Sequence, residues 1–179
     1  MSQFIALLRG VNVGGNGKLP MTELKALLIE LGYDNPRTLL QSGNAVFGAS
    51  RTKPDALETK LHKAIVERFA VNTELFVRTP QEWDAVVAGN PFKAEAINDP
   101  ARLVAWVMKA PATAKAVEAL RASNKGTEVV QAKDRTLYIY YPDGQGHSKL
   151  AMDRHMPSRG TGRNWNTVLK LQAMVSAAA

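Results

Sequence analysis

The hydrophobic pattern of the first eighty residues alternates between strand-like runs and the three-to-four spacing of helices. Phe4 to Arg9 is an apolar run of strand length. After a glycine-rich turn, Met21, Leu24, Leu27, Leu28 and Leu31 share one helical face, with Pro20 at the first turn and Gly32 as a stop. "RTLLQ" and "NAVFG" read as two strands joined at Ser42 and Gly43, where glycine can take the positive φ of a tight hairpin turn. A second helix is predicted from near Pro54, with Leu57, Leu61, Ile65 and Phe69 at spacings of four, and "TELFVRT" follows as a strand. The order βαββαβ is the split motif in which an antiparallel sheet carries both helices on one face.

The second half partly repeats this order. "TPQE" is a capping box, in which the Thr79 hydroxyl and the Glu82 carboxylate satisfy each other's backbone donors and Pro80 starts a helix to about Ala88. Beyond the "GNPF" break and a polar link through Pro100, "RLVAWVM" predicts a strand and "TAKAVEALRA" a helix. "EVVQA" and "TLYIYYP" flank Lys133, Asp134 and Arg135 as a hairpin. Helix-like "SKLAMDRHM" and a helix from about Asn166 to Val175 follow, so the second half ends in helix rather than in a fourth strand. The predicted architecture is α+β with two ferredoxin-like (βαββαβ-type) subdomains, 1–80 and 81–179, the second ending in helices.

At 179 residues and 45% apolar composition the chain can bury a proper core. It has no long apolar run, and its N-terminus lacks a basic region before the short apolar stretch, so neither a membrane span nor a signal peptide is expected and the cytoplasm is. The absence of cysteine excludes disulfides, thiolate metal sites and cysteine nucleophiles. With only His62, His147 and His155 and scattered carboxylates, no metal and no cofactor is expected. The net charge is +7, and residues 146–179 carry five basic side chains against one acidic. Such an excess draws a nucleotide, a nucleic acid or another anion, or serves solubility alone.

The loop "RGVNVGGNGKLP" fails the Walker pattern, because Asn12 stands where the first glycine belongs and Leu19 where the magnesium-binding hydroxyl belongs. It also fails the dinucleotide fingerprint, since Pro20 replaces the last glycine. Two readings survive. Either the glycines turn backbone N–H groups toward one point and form an anion nest, with charge from Arg9 and Lys18, or they only relieve strain in a strand-to-helix connection.

"RGTGRNWNTVLKL" combines Arg159 and Arg163 for an anion, Trp165 for stacking and Asn164 and Asn166 for edge hydrogen bonds. The competing reading makes an asparagine the helix cap and Trp165 a packing residue. Gln41, Ser42 and Asn44 are ordinary turn residues, and Ser42 lacks the glycines of a nucleophile elbow. Ser148 and Lys149 are sequence neighbours, which does not make them face each other. His62 and His155 read as surface residues. Alternation puts Tyr138 and Tyr140 on the sheet face opposite Leu137, Ile139 and Tyr141, for ordinary packing rather than base stacking.

The segments "IALLRGVNVGGNGKLPMTELKALLIELGY", "RTLLQSGNAVF" and "TGRNWNTVLKL" resemble the bacterial family known as domain of unknown function 1697. The matching positions are Arg9, Gly10, Asn12, Gly14, Gly15, Gln41, Ser42, Gly43, Asn44, Arg163, Asn164, Trp165 and Asn166. The resemblance implies a cytosolic α+β protein with ferredoxin-like elements and no particular activity. These matching segments are the polar loops singled out on physical grounds, and loops commonly carry function. The reading that follows is a binding surface for an anionic ligand, a nucleotide, a nucleic acid or a phosphate-bearing small molecule, formed by Arg9, Asn12, Gly14, Gly15, Lys18, Gln41, Ser42, Asn44, Arg163, Asn164, Trp165 and Asn166. The alternatives are a metal-independent enzyme using the same residues and a protein-interaction module without a small ligand.

Overall fold

The computed structural model describes residues 1–14 and 17–177. The chain divides into two compact units, Met1–Asp84 with Leu171–Ala179, and Ala85–Lys170.

In the first unit, β1 (Ser2–Leu8), α1 (Met21–Glu30), β2 (Asp34–Thr38), β3 (Asn44–Ala49), α2 (Pro54–Phe69) and β4 (Leu75–Arg78) follow the split motif. The sheet order is β2-β3-β1-β4, with every neighbouring pair antiparallel. One cluster joins Phe4, Ala6 and Leu8 of β1 to Met21, Leu24, Leu27 and Leu28 of α1 and to Leu57, Leu61 and Ile65 of α2. Burying each such aliphatic side chain stabilises the fold by about 1.5–3 kcal/mol. Ile5 and Leu7, on the opposite face of β1, are buried as well. Burial on both faces is why β1 reads as a continuous apolar run instead of an alternating one. Gly32 stands just past α1 at φ +79, as the pattern predicts for a stop.

The second strand departs from expectation: "RTLLQ" was the predicted span, but β2 runs Asp34–Thr38. Asn35 at φ +41 and a register shift between Asp34 and Arg37 build a bulge that accommodates Pro36 on this edge strand. Leu40 at φ +58 then takes the chain out of the sheet, and Leu39 N–H donates to the Asn44 carbonyl at 3.0 Å to close the turn. Gly43 lies at φ +81, and a Cβ there would sit 2.6 Å from Val11 Cγ2 and 2.8 Å from Leu8 Cβ. Backbone conformation and space both demand glycine at this position.

The second unit holds α4 (Lys93–Asn98), β5 (Leu103–Met108), α5 (Ala114–Ser123), β6 (Val129–Lys133), β7 (Thr136–Tyr140), a 3-10 turn (Gln145–His147), α6 (Met152–His155) and β8 (Gly160–Asn164). Its sheet order, β6-β7-β5-β8, is that of the first unit. The predicted polar link contains α4, which buries no residue and so leaves no periodic signal. The split motif is completed by a fourth strand, β8, where the sequence pattern indicated none. Its glycines hide it: a Cβ at Gly160 would collide with the Trp106 indole, and one at Gly162 would lie 3.1 Å from Trp106 Cε3. The Trp106 ring on β5 lies across β8 and supplies the apolar cover that glycine lacks. The core joins Val104, Met108, Leu137, Ile139 and Tyr141 to Val117 and Leu120 of α5 and to Met152 and Met156 of α6.

Each fourth strand carries a buried arginine, Arg78 as the last residue of β4 and Arg163 as the last but one of β8, and feeds a capped helix, α3 (Pro80–Ala88) or α7 (Trp165–Ser176). Arg78 pairs with Ile5 and Arg163 with Ala105, and each guanidinium donates through Nη1 to the carbonyl of its preceding residue at 2.8 Å. Thr79 caps α3 by the predicted box, with Thr79 N–H to Glu82 Oε2 at 2.9 Å and Glu82 N–H to Thr79 Oγ1 at 3.2 Å. Asn164 caps α7, accepting from Thr167 N–H at 3.0 Å. The unit boundaries fall inside these same two helices. Beyond its boundary α7 belongs to the first unit, where Arg37 Nη2 donates to the Met174 carbonyl and Gln172 Nε2 to Asp84 Oδ1.

Candidate functional site: a clipped loop pair in the first unit

The Asn12 side chain ties together two polar segments of the first unit, the described residues 9–14 and 17–19 and the turn 39–44. Arg9 anchors the start of the first segment: its N–H meets the Glu74 carbonyl at 3.0 Å, and its carbonyl accepts from Thr73 Oγ1 at 2.8 Å. Asn12 adopts φ +56, a conformation that asparagine tolerates better than most residues. Its Nδ2 donates to the carbonyls of Leu19 and Gln41, both at 2.8 Å, and its Oδ1 accepts from Leu19 N–H at 2.8 Å. Asn12 N–H also reaches the Gly17 carbonyl at 3.1 Å. The amide is thus spent inside the protein, closing the loop on itself and fixing it to the turn.

Asn44 plays the matching part in the turn. It is buried, and Nδ2 donates to the Leu39 carbonyl at 2.7 Å and to Ser42 Oγ at 3.2 Å. Gly14 and Gly17 take φ +59 and +60. Gly15, part of the expected nest, lies outside the described residues. Among their described residues, the two segments present Gly10, Gly14, Lys18, Gln41 and Ser42 to solvent, together with the apolar Val13 and Leu40. This is a surface of hydrogen-bonding groups around one ammonium. The amide that meets the Ser42 hydroxyl is not a base that could activate it.

The segment 163–166 of the second unit is built into its own fold. Arg163 is only 7% exposed, and its Nη1 donates to Thr161 Oγ1 and to the Gly162 carbonyl, both at 2.8 Å. Burial lowers its pKa to about 10, which leaves it charged at neutral pH. Asn164 is the α7 cap, and Trp165 is buried with its N–H on the Pro100 carbonyl at 3.1 Å. Asn166 alone of the four has an exposed side chain.

Leu19 and Thr73 complete the geometry of the loop pair and were not singled out from sequence. Their contributions are a backbone carbonyl, a backbone N–H and a hydroxyl bonded across 64 residues, for which an asparagine with a glycine two positions to either side was the only local hint. His62 is half-buried rather than on the surface, because its Nδ1 bonds the Thr73 carbonyl at 2.8 Å. The acceptor is a carbonyl, so Nδ1 carries the proton. Tyr138 is buried and donates to the Val86 carbonyl at 2.7 Å, in keeping with a packing role. Among the described residues no group of histidines and carboxylates is placed to hold a metal ion, and no helix is long and apolar enough to cross a membrane.

The fold is similar over nearly its whole length to a solved structure, that of the conserved bacterial protein SP0830 from Streptococcus pneumoniae. The two superpose with a TM-score of 0.74 at 24% sequence identity, covering 97% of this chain and 98% of that one. No curated protein matches the sequence. The model of a family described as "Protein of unknown function (DUF1697)" matches residues 1–138, and the chain belongs to that family.

Proposed function

We propose that the protein binds a small anionic, phosphate-bearing ligand in the cytoplasm, on the outer face of the clipped loop pair of the first unit. The observation that carries this reading is the Asn12 clip. A side chain that spends both amide protons and its carbonyl on three backbone groups of two separate segments fixes those segments before any ligand arrives. Preorganisation of this kind removes the ordering cost that weakens binding to mobile loops. Lys18 supplies the local charge, Gln41 and Ser42 supply hydrogen bonds, and the net charge of +7 favours the approach of an anion. In this reading Asn12 and Asn44 position the surface, Arg163, Asn164 and Trp165 serve the fold of the second unit, and Lys18 touches the ligand.

A thermal-shift series with inorganic pyrophosphate, nucleoside mono- and triphosphates and short RNA and DNA tests this directly. A ligand at a hundred times its dissociation constant adds about 2.7 kcal/mol to stability and raises the midpoint accordingly. Lys18→Ala, an exposed substitution, is expected to keep the parent's unliganded midpoint and lose the ligand-induced rise. An equal rise in parent and variant, or no rise with any of these compounds, removes the reading. One observation favours a second reading, a protein-interaction surface: Val13 and Leu40 are 54% and 53% exposed on the same two segments.

A further inference from the structure

A cavity of about 290 Å³ opens in the second unit, where the loop after α5 faces the chain after β7. Its walls are fixed by short-range bonds. Asn124 Nδ2 donates to the Glu128 carbonyl at 2.8 Å, and Asn124 Oδ1 accepts from Gly126 N–H at 2.9 Å. Thr127 Oγ1 donates to Asp143 Oδ2 at 2.6 Å and ties the two stretches of chain together. On the far side, the 3-10 turn holds its shape through Ser148 N–H on the Gln145 carbonyl at 3.1 Å.

The chemistry of the lining is two-signed. Lys125, His147 and Lys149 bring two ammonium groups and an imidazole, and Glu128 brings the one carboxylate. Glu128 Oε2 is sealed from solvent and has no hydrogen-bond partner. A carboxylate oxygen in that condition carries a desolvation cost that no bond offsets. The terminal torsion of a glutamate is soft, so the carboxylate can turn toward a donor placed in the cavity. The charge of Glu128 also acts on a neighbour in the core: Tyr141 is pushed up from its ordinary value, first by burial and then by Glu128. A ligand that satisfies these charges carries a doubly charged anion for the lysines and a cationic donor for Glu128.

We propose that this cavity binds a small phosphomonoester bearing an ammonium group on a short chain. Lys125 and Lys149 take the phosphate and Glu128 takes the ammonium. The volume stands at the low end of small-molecule sites and suits a metabolite of that size rather than a nucleotide. The site is separate from the loop pair of the first unit and does not depend on it.

Isothermal titration of the full chain with O-phosphoethanolamine, inorganic phosphate and ethanolamine distinguishes the parts. O-Phosphoethanolamine is expected to bind at least ~10-fold more tightly than inorganic phosphate, and ethanolamine weakest of the three. Glu128→Gln removes the charge that meets the ammonium and also a repulsion on the phosphate, so it is expected to abolish the preference between the two phosphates, with inorganic phosphate bound no less tightly than in the parent. The double variant Lys125→Ala/Lys149→Ala, at two exposed positions, is expected to weaken both phosphates at least ~10-fold. Heat that the double variant removes belongs to this cavity and heat that Lys18→Ala removes belongs to the loop pair, so loss of the first-unit reading and loss of this one are told apart. Equal affinity for the two phosphates in the parent, survival of the preference in Glu128→Gln, or no heat with either phosphate at millimolar concentration overturns the proposal.

Discussion

Tyr33 follows α1 and packs its ring against Phe47 at a centroid distance of 4.7 Å, with Lys60 Nζ 5.2 Å from the ring centre. Its hydroxyl is buried and has no hydrogen-bond partner. The ring contributes to the core, while the oxygen contributes only the cost of leaving water. Tyr33→Phe is therefore expected to raise stability by about 1 kcal/mol, seen as a higher urea midpoint at unchanged slope. A lower midpoint would mean that the hydroxyl finds a partner in solution. Single residues were unevenly legible in the sequence for the same reason that governs Tyr33, namely that partners lie far along the chain. Gly43 was readable because a hairpin turn needs glycine locally. The role of Asn12 was not, because the Gln41 carbonyl it holds is 29 residues away. An asparagine beside glycines looks the same whether it contacts a ligand or clips a loop.

At the level of elements, one edge of each sheet is guarded by side chains. Arg121, near the end of α5, donates through Nε and Nη2 to the Val130 carbonyl of edge strand β6 at 2.9 and 2.7 Å, and Asn124 covers the Glu128 carbonyl beside it. In the first unit Glu58 of α2 accepts from Val77 N–H of edge strand β4 at 2.7 Å. An uncovered row of backbone groups is a template for another chain. Arg121→Ala is expected to expose the Val130 carbonyl and produce concentration-dependent self-association in sedimentation velocity, with the parent unchanged over the same range. A variant that sediments like the parent at all concentrations would show that the arginine is dispensable for guarding β6. Elements with a strong period, α1, α2, α5 and the β6–β7 hairpin, were legible from apolar spacing. β8 was not, because its cover is the Trp106 ring, which leaves glycines in place of the β-branched residues that mark a strand.

The whole molecule repeats one plan, βαββαβ followed by a capped helix, and the two copies differ in what they bury. In the second, Tyr138 lies on the sheet face away from α5, and burial, then the charge of Asp134, lifts its pKa from 10.0 to about 12. The folded protein thus favours the neutral phenol more than the unfolded chain does. That contribution is complete below about pH 10 and is lost as the pH rises toward 12. Melting temperature followed by circular dichroism is expected to fall across this window, and less steeply in Tyr138→Phe; equal slopes would remove Tyr138 as the cause. The sequence pattern carried the repetition as far as the third strand of the second copy. The unit boundaries, by contrast, fall between Asp84 and Ala85 and between Lys170 and Leu171, within α3 and α7 rather than in connecting loops. A protease searching for an exposed linker between the units finds hydrogen-bonded helix at both crossings. Cleavage there must await local unwinding, so limited digestion would trim the surface loops and chain ends long before it released either half as a fragment.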